Sequence, residues 1–323
     1  MSKVGEVAIP LEDIRAAADR IADIITAIPL VPLDLEDSSA TVWLKLETLQ
    51  PIGSFKLRGA GNAMRSVPEQ LFEEGVWTAS AGNMGQGVAW VARRLGIPCR
   101  VVVPDHAPET KLAALARVGA ETIEVPFDEW WQIIISHEYE GIRGHFIHPV
   151  SDPAVMAGNG TIGLEILEDL PDVDTIIIPF GGGGLSTGIA SAVKAIRPET
   201  RIFAVEVETA APLAASLANG EPTQVDYIPS FVDGIGGKSV LPDMWPRVSR
   251  LLDGSLVVSL EQVADAIRLL VERQRIVAEG AGAASVAAVL AGLAGDGKIV
   301  CVVSGGNLGA ARLKRILDGE VPG

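Results

Sequence analysis

The stretch DTIIIPFGGGGLSTG, residues 174–188, joins a continuous apolar run to four consecutive glycines. An uninterrupted run of isoleucines is typical of a strand whose two sheet faces are both covered by helices. The glycines break that strand, and GIASAVKAIRP, residues 188–198, then has helical spacing. The stretch therefore predicts a strand, a glycine turn and a helix, which is the repeating unit of parallel α/β sheets.

The same alternation continues on both sides of this unit. Strands are predicted in the following stretches: GVWTASAG (75–82), RVVVPDHAP (100–108), ETIEVPF (121–127), RIFAVEVE (201–208) and KIVCVVSGGNLG (298–309). We therefore expect an α/β fold of two domains, each with a parallel-rich twisted sheet covered by helices. Residues 1–74 and 150–323 are predicted to form a large domain and residues 75–149 a small domain, with the site in the cleft between them.

Composition excludes several classes of function. The chain has 323 residues, a formal net charge of −15 and 48% hydrophobic residues. This charge, without a cluster of Lys and Arg, argues against binding to nucleic acid or to anionic membranes. The acidic segment 1–25 predicts an amphipathic helix rather than a signal peptide, and residues 280–295 predict a buried helix rather than a membrane span.

The two cysteines indicate a reducing compartment. Cys99 and Cys301 both stand in apolar strand segments, where cysteine serves as a small buried hydrophobe. They form no CxxC pair and no disulfide framework. A cytoplasmic protein is therefore expected.

Three turns rich in Gly, Ser and Asn follow predicted strands. They are SAGNMGQG (80–87), FGGGGLSTG (180–188) and SGGNLG (304–309). Consecutive glycines let backbone N–H groups converge on an anion, to which the following helix N-terminus adds partial positive charge. The four glycines predict a phosphate site, whereas the other two turns also suit ordinary strand ends. The dinucleotide spacing of glycines fails, because the third position holds Ser186 or Thr187.

A lysine in QPIGSFKLRGA, residues 50–60, supplies a candidate nucleophile. Ser54 is a natural N-cap, so Lys56 is expected in the first turn of a helix, where the helix dipole disfavours a cation. A neutral amine is a nucleophile, although a solvated surface lysine would also suit this position. An amine, a phosphate site and polar loops together point to pyridoxal 5'-phosphate.

Four motifs in order carry a family resemblance. The order and spacing of these motifs resemble those of fold-type II pyridoxal-phosphate enzymes, whose fold is tryptophan synthase β-like. The motifs are GSFKLRGA, SAGNMGQG, GGGGL and SGGN. The chain most resembles serine/threonine dehydratases (ammonia-lyases) and serine racemases, from about residue 10 to 315. The resemblance implies β-elimination of a 3-hydroxy amino acid, such as L-threonine or L-serine, to a 2-oxo acid and ammonia. It also implies a homodimer.

The resemblance assigns roles to residues of these motifs. Lys56 would bind the cofactor covalently and act as the catalytic base. The other cofactor contacts would come from Phe55 beside the ring, Asn83 at the 3'-oxygen, Gly181, Gly182, Gly183, Gly184 and Leu185 at the phosphate, and Ser304 at the pyridine nitrogen. The substrate would meet Ser80, the backbone of Gly82, Asn83, Met84 and Gly85, and Glu279.

Departures from the family pattern concern the substrate side. Ala81 stands where racemases carry a serine base, which favours elimination over racemisation. Met84 stands where dehydratases usually carry His, and Trp131 where related racemases carry an arginine. A bulkier 3-hydroxy amino acid, similar to phenylserine or hydroxyaspartate, is therefore an alternative substrate, although Trp130 and Trp131 also suit plain helix packing.

A cation site is implied only weakly. The family often binds a cation after the strand that contains AVE, and here Glu206 and the Ala210 carbonyl match its ligands. Pro212 stands where a second carboxylate is expected. The histidines His137, His145 and His148 are irregularly spaced and are expected to be structural. A nucleotide-dependent oxidoreductase and a catalytically silent binding protein are the alternatives from other classes.

Overall fold

The structure is a computed structural model that describes residues 7–35 and 39–322. Residues 1–6 of the predicted N-terminal helix lie outside the described residues. The strands are β1 (Val31–Leu33), β2 (Ala40–Leu46), β3 (Val76–Ala79), β4 (Cys99–Pro104), β5 (Glu121–Val125), β6 (His145–Phe146), β7 (Thr175–Pro179), β8 (Arg201–Val207), β9 (Gly254–Val258) and β10 (Gly297–Val303).

Helices separate most of these strands. They are α1 (Leu11–Ile21), α2 (Lys56–Arg65), α3 (Asn83–Leu95), α4 (Glu109–Arg117), α5 (Phe127–Ser136), α6 (Pro153–Asp169), α7 (Gly184–Ile196), α8 (Pro212–Asn219), α9 (Trp245–Leu251), α10 (Leu260–Leu269), α11 (Gly280–Leu290) and α12 (Ala310–Leu317). Short helical turns cover Glu47–Leu49, Glu69–Phe72 and Leu270–Gln274. Within residues 7–35 and 39–322, every helix is too short or too polar to span a bilayer.

In the described part of the chain, the strands form two sheets. The larger sheet has the order β1-β2-β10-β7-β8-β9, and the smaller has the order β5-β4-β3-β6. Apart from the antiparallel β1–β2 pair, neighbouring strands are parallel. The predicted α/β fold with two parallel-rich sheets is confirmed. The smaller sheet uses residues 76–146, inside the predicted small domain, and the domain boundaries themselves stay a prediction.

Both faces of the larger sheet are buried, which explains the unbroken isoleucine run. On β7, Ile176 and Ile178 pack into the apolar layer that contains α6 and α7, whereas Ile177 packs against α10 and α11. The smaller sheet is covered in the same way. On β3, Val76 packs with α2 and α3, and Trp77 packs with α5.

A helix capped by Ser54 would begin at Phe55, but α2 begins one residue later, at Lys56. Phe55 is the N-cap residue, so the assignment of Ser54 as N-cap is wrong. The backbone of Ser54 instead forms an antiparallel bridge with Gly305. Among the residues that the structure describes, the buried Ser54 Oγ has no hydrogen-bond partner. Lys56 is nevertheless the first residue of the helix, in the predicted first turn.

A buried ion pair anchors α2. The Arg58 guanidinium donates through Nε to Glu47 Oε2 at 2.8 Å and through Nη1 to Glu165 Oε1 at 2.6 Å. The side chains of Arg58 and Glu47 are both fully buried. Removing one partner of such a pair costs about 3–5 kcal/mol, because the other charge stays buried alone. The pair therefore fixes the position of the helix that carries Lys56.

Candidate active site

The three predicted glycine-rich turns lie at the carboxyl ends of strands, as expected. Residues 80–82 join β3 to α3, residues 180–183 join β7 to α7, and residues 304–309 join β10 to α12. Ligands of open parallel sheets bind at these strand ends. The turns are therefore placed to build one site from both sheets.

Lys56 points its amine at the turn that precedes α6. Its Nζ donates a hydrogen bond to the Pro149 carbonyl at 2.9 Å and lies 5.2 Å from the centre of the Phe55 ring. Burial lowers the pKa of the Lys56 amine to about 8. The helix dipole was the cause expected from the sequence, whereas desolvation is the cause in the structure. A neutral, nucleophilic amine is thus accessible near neutral pH.

The four glycines form a tight cradle at the start of α7. Gly183 is the N-cap residue with φ of +95°, and among the described residues no side chain caps this helix end. A Cβ on Gly184 would lie 2.5 Å from the Val150 carbonyl oxygen, and one on Gly182 would lie 2.6 Å from Val150 Cγ1. Only glycine fits here, and Leu185 follows in the first turn. The backbone amides of this turn are left available to an anion.

One turn connects the lysine to the glycine cradle. Pro149 accepts from Lys56, and Val150 packs directly on Gly182 and Gly184. Lys56 and the cradle therefore lie on two sides of residues 149–150.

Asn83 is held in a chain of polar side chains. Its Nδ2 donates to Glu279 Oε1 at 2.7 Å, and its Oδ1 accepts from Asn307 Nδ2 at 2.7 Å. Because a carboxylate only accepts, these partners fix the orientation of the Asn83 amide and leave one Nδ2 hydrogen for a ligand. The pKa of the Glu279 carboxyl is raised to about 7, mainly by burial and in smaller part by the nearby Asp233, while the hydrogen bond from Asn83 opposes this rise.

Ser304 lies where β10 meets the Lys56 segment. Its side chain is buried, and its carbonyl accepts a hydrogen bond from the Phe55 amide at 3.0 Å. Next to it, the Gly306 amide donates to the Gly53 carbonyl at 2.9 Å. These bonds bring the backbones of Ser304 and Phe55 together.

The turn after β3 is held by its own serine. Ser80 Oγ accepts from the Gly82 amide at 3.2 Å, and a Cβ on Gly85 would lie 2.4 Å from the Ser80 carbonyl oxygen. Met84 turns its side chain into the apolar core beneath this turn, with 1% of its surface exposed. A contact between Met84 and a substrate would therefore come from its backbone.

Trp131 packs on its own helix. It is half-buried on α5, and its ring centre lies 6.4 Å from that of Trp130. This arrangement agrees with the helix-packing alternative.

Glu206 caps a helix instead of presenting free oxygens. Its Oε1 accepts from the Leu213 amide at 2.8 Å, and its Oε2 accepts from the Ala214 amide at 2.8 Å and from Ser255 Oγ at 2.7 Å. Pro212 is the first residue of α8, and Ala210 donates its amide to the Val207 carbonyl. Across the described residues, no group of three or more His, Cys, Asp or Glu could hold a metal. The implied cation site gains no support from this arrangement.

Sequence reasoning missed Asn307 and the Pro149 carbonyl. Asn307 belongs to the SGGN motif, but its contact with Asn83 depends on two turns that are 224 residues apart. A backbone carbonyl carries no signal in the sequence. His148 was expected to be structural, and both of its ring nitrogens are engaged, as described below.

His148 should make the protein sensitive to acid. The pKa of its ring is lowered to about 4 from an ordinary value of 6.5, mainly by burial and in smaller part by His137 and Lys56, against the hydrogen bond to the Ile134 carbonyl and the charge of Asp243. Asp152 also faces this region. At this ring the unfolded chain binds more protons than the folded one between these values, so the contribution of His148 to stability falls as the pH drops from about 6.5 to about 4.

We expect this loss to reach about 3 kcal/mol, from 1.36 kcal/mol for each pKa unit. Urea unfolding of the parent and of His148→Asn across this pH range measures it as the difference between the two, because asparagine does not titrate. Glu279, whose raised pKa gives a slope of the opposite sign, is present in parent and variant alike. The same pH dependence of stability in both proteins would contradict the assignment to His148.

The residues present fit pyridoxal phosphate. Lys56 offers a desolvated amine, the glycine cradle offers uncapped amides at a helix N-terminus, and Asn83 offers one free N–H. The close approach of Val150 requires glycine at positions 182 and 184, because a Cβ at either position would collide with Val150. An aldehyde and a phosphate joined by a small ring match these groups.

Comparisons with known proteins agree with this fit. The family described as "Pyridoxal-phosphate dependent enzyme" matches residues 21–305. An L-threonine ammonia-lyase of Thermotoga maritima is 40% identical and aligns with 96% of this chain and 78% of its own length. A catabolic L-threonine dehydratase of Escherichia coli K12 is 37% identical, over 96% of this chain and 97% of its own.

One solved structure is similar to this chain over almost its whole length. Maize serine racemase superposes with a TM-score of 0.85 and 32% identity, over 97% of this chain and 98% of that one. The family match covers far more than half of the chain, and the motifs, the fold and the geometry around Lys56 agree with it. The chain therefore belongs to the family of pyridoxal-phosphate dependent enzymes.

Proposed function

We propose that this protein catalyses the β-elimination of a 3-hydroxy amino acid, with L-threonine and L-serine the first candidates, to a 2-oxo acid and ammonia. The observation that carries the proposal is the Lys56 amine, whose pKa is lowered to about 8 beside the glycine cradle. Relatives that are 37% and 40% identical over 96% of the chain bear the names L-threonine dehydratase and ammonia-lyase.

Lys56 has the main chemical role in this proposal. Bound pyridoxal phosphate supplies an electron sink that makes the Cα proton of an amino acid acidic. Lys56 Nζ, once the amine of the substrate has taken its place on the cofactor, would remove that proton as a general base. The bond from Cβ to the hydroxyl oxygen would break with a proton delivered to that oxygen, so that the group leaves as water, and this proton is balanced by the one that Lys56 has taken. A second water molecule would then hydrolyse the product to the 2-oxo acid and ammonia.

The other residues bind and orient. The backbone of Gly181–Gly184 with the Leu185 amide would hold the phosphate, while Phe55 and Asn83 would orient the ring. Ser304 would face the pyridine nitrogen, and its hydroxyl group would leave this nitrogen without a proton. The cofactor would then supply a weaker electron sink, which suits prompt loss of the β-hydroxyl group.

The substrate carboxylate is assigned to the turn after β3. Ser80 and the amides of residues 82–85 would hold it, with Glu279 near the reacting centre. This places the site in the cleft between a small domain, residues 75–149, and a large domain, residues 1–74 and 150–323. Contacts of Asn83 with Glu279 and Asn307 across the cleft support this division.

A substrate panel tests the function. Purified protein with pyridoxal phosphate is given L-threonine, L-serine, phenylserine and hydroxyaspartate, and the 2-oxo acid is measured. We expect turnover of at least one of these, with L-threonine the leading candidate. Protein that binds the cofactor but releases no 2-oxo acid from any of them would refute the proposal. A preference for phenylserine would support the bulkier-substrate alternative.

A serine racemase is the second candidate, because maize serine racemase shares the fold with 32% identity. Ala81 argues against it, since a methyl group cannot deliver a proton to the substrate face opposite Lys56. Ala81 is partly buried and packs against the apolar core of the smaller sheet.

We expect Ala81→Ser to add a measurable racemase activity. A hydroxyl group would then be present at the position where racemases carry their second base. The rate of racemisation should rise by at most about 10²–10⁴-fold, because a well-placed acid or base contributes a factor of this size. Chiral chromatography of the remaining L-serine after partial turnover measures it. Substantial D-serine from the parent protein would show that another group serves this face.

We further propose that the protein is a cytoplasmic homodimer. Cys99 and Cys301 are free and buried, which suits a reducing compartment. Sedimentation of the holoenzyme measures the oligomeric state.

A further inference from the structure

His148 uses both ring nitrogens in the turn between β6 and α6. Its side chain is 4% exposed. Nε2 lies 3.0 Å from the Ile134 carbonyl on α5, so Nε2 carries the proton. Nδ1 is then the acceptor, and it receives the amides of Val150 at 3.1 Å and Ser151 at 2.8 Å. The ring therefore ties α5 to the backbone of this turn.

This turn is the one that separates Lys56 from the glycine cradle. Pro149 lies between His148 and Val150 in the chain. Its carbonyl oxygen accepts a hydrogen bond from Lys56 Nζ at 2.9 Å. Val150 packs on Gly182 and Gly184, with the Val150 carbonyl oxygen 2.5 Å from a Cβ built on Gly184. A shift of this turn would move the lysine acceptor and one wall of the cradle together.

We propose that His148 is a positioning residue, whose Nδ1 acceptor holds residues 149–151 so that Lys56 and the glycine cradle keep the separation that the cofactor requires. The inference rests on the proposed cofactor contacts and not on the identity of the substrate. His148 touches neither the lysine nor the cradle directly and acts through the backbone of Pro149 and Val150.

Two substitutions separate this role from simple packing. The side-chain amide of asparagine reaches the position of Nδ1, because both atoms are two bonds from Cβ. The amide of glutamine reaches toward Nε2 and leaves the Val150 and Ser151 amides without an acceptor. His148→Asn should therefore preserve the turn, and His148→Gln should release it, although glutamine is closer to histidine in volume.

The readout is the affinity of the apoenzyme for pyridoxal phosphate, titrated by absorbance, with the thermal midpoint of the apoenzyme as the measure of folding. A lost hydrogen bond of about 1–3 kcal/mol corresponds to roughly 5- to 150-fold weaker binding. We expect that loss for His148→Gln and a change of less than about threefold for His148→Asn. The fraction of cofactor that borohydride fixes to Lys56 should fall in parallel.

One control accompanies these variants. His137→Asn removes a ring whose centre lies 4.2 Å from that of His148. Asparagine tolerates the left-handed φ of 64° at this position. This variant should bind the cofactor as the parent does.

Cofactor binding by His148→Gln with parental affinity would overturn the proposal. Equal losses in both His148 variants would also overturn it, since a packing role predicts them. If His148→Gln does not fold, His148→Asn decides, because an asparagine variant that fails to fold or binds tenfold more weakly contradicts the role of Nδ1. Absence of lyase activity in the parent would refute the proposed function but leave these affinities interpretable.

Discussion

Lys56→Ala should abolish turnover and prevent covalent attachment of the cofactor. The Lys56 amine is the proposed nucleophile and base, and its pKa of about 8 makes it available in neutral form. Loss of a positioned base alone costs up to about 10⁴-fold in rate, so we expect a loss of at least this size. The measurements are 2-oxo acid release, near-visible absorbance, and mass analysis of peptides after borohydride reduction.

Lys56→Arg is the matched variant for this test. Arginine keeps a donor for the Pro149 carbonyl and a positive charge, but it stays protonated and cannot act as a nucleophile or base. It should be as inactive as Lys56→Ala. Lys314→Ala, at an exposed lysine on α12, should behave as the parent protein. A reduced cofactor found on a lysine other than Lys56 would contradict the assignment.

Gly184→Ala should weaken cofactor binding by about 10- to 100-fold, which corresponds to 1.4–2.8 kcal/mol. The added Cβ would lie 2.5 Å from the Val150 carbonyl oxygen, and backbone atoms at that distance must move apart. Overpacking of this kind costs about 1–3 kcal/mol and would displace the start of α7 from Val150. Absorbance titration of the apoenzyme with pyridoxal phosphate measures the effect.

The same turn offers a control at Gly181. A Cβ there would make its nearest contact at 3.5 Å, with the Gly234 carbonyl oxygen, which is an ordinary van der Waals distance. Gly181→Ala should therefore retain nearly parental affinity. Equal losses in the two variants would mean that the space beside Val150 does not determine cofactor binding.

The sequence predicts the fold because its patterns reflect burial directly. The Ile176–Ile178 run packs on both sheet faces, and each glycine-rich turn follows a strand, as the patterns indicate. The start of α2 was less predictable. Ser54 has the chemistry of an N-cap, but a bridge to Gly305, which is 251 residues away, occupies its backbone. Local propensity carries no information about such a partner.

The candidate site was predictable where side chains carry the chemistry. Lys56, Asn83 and Ser304 stand in motifs, whereas the acceptor of Lys56 is the backbone carbonyl of Pro149. Glu206 shows the reverse case, in which the sequence indicates the carboxylate but not the partners of its oxygens. A carboxylate after a strand suits a cation site, yet its oxygens accept amides at the start of α8 and the hydroxyl of Ser255. Which of these partners a carboxylate finds depends on packing between distant segments.

The strand order of the larger sheet has a consequence for biosynthesis. β2, near the start of the chain, pairs along its whole length with β10, so that Ala40–Leu46 face Gly297–Val303. At about 5–20 residues per second, a ribosome needs roughly 10–50 s to make the chain between them. During that time the smaller sheet, which uses residues 76–146, can form from its own contiguous segment.

The apolar side chains of β2 meanwhile lack their neighbour on the nascent chain, and Lys56 lacks the Ser304 segment that meets Phe55. The segments around Lys56 can therefore come together only after β10 and the turn that follows it have been synthesised.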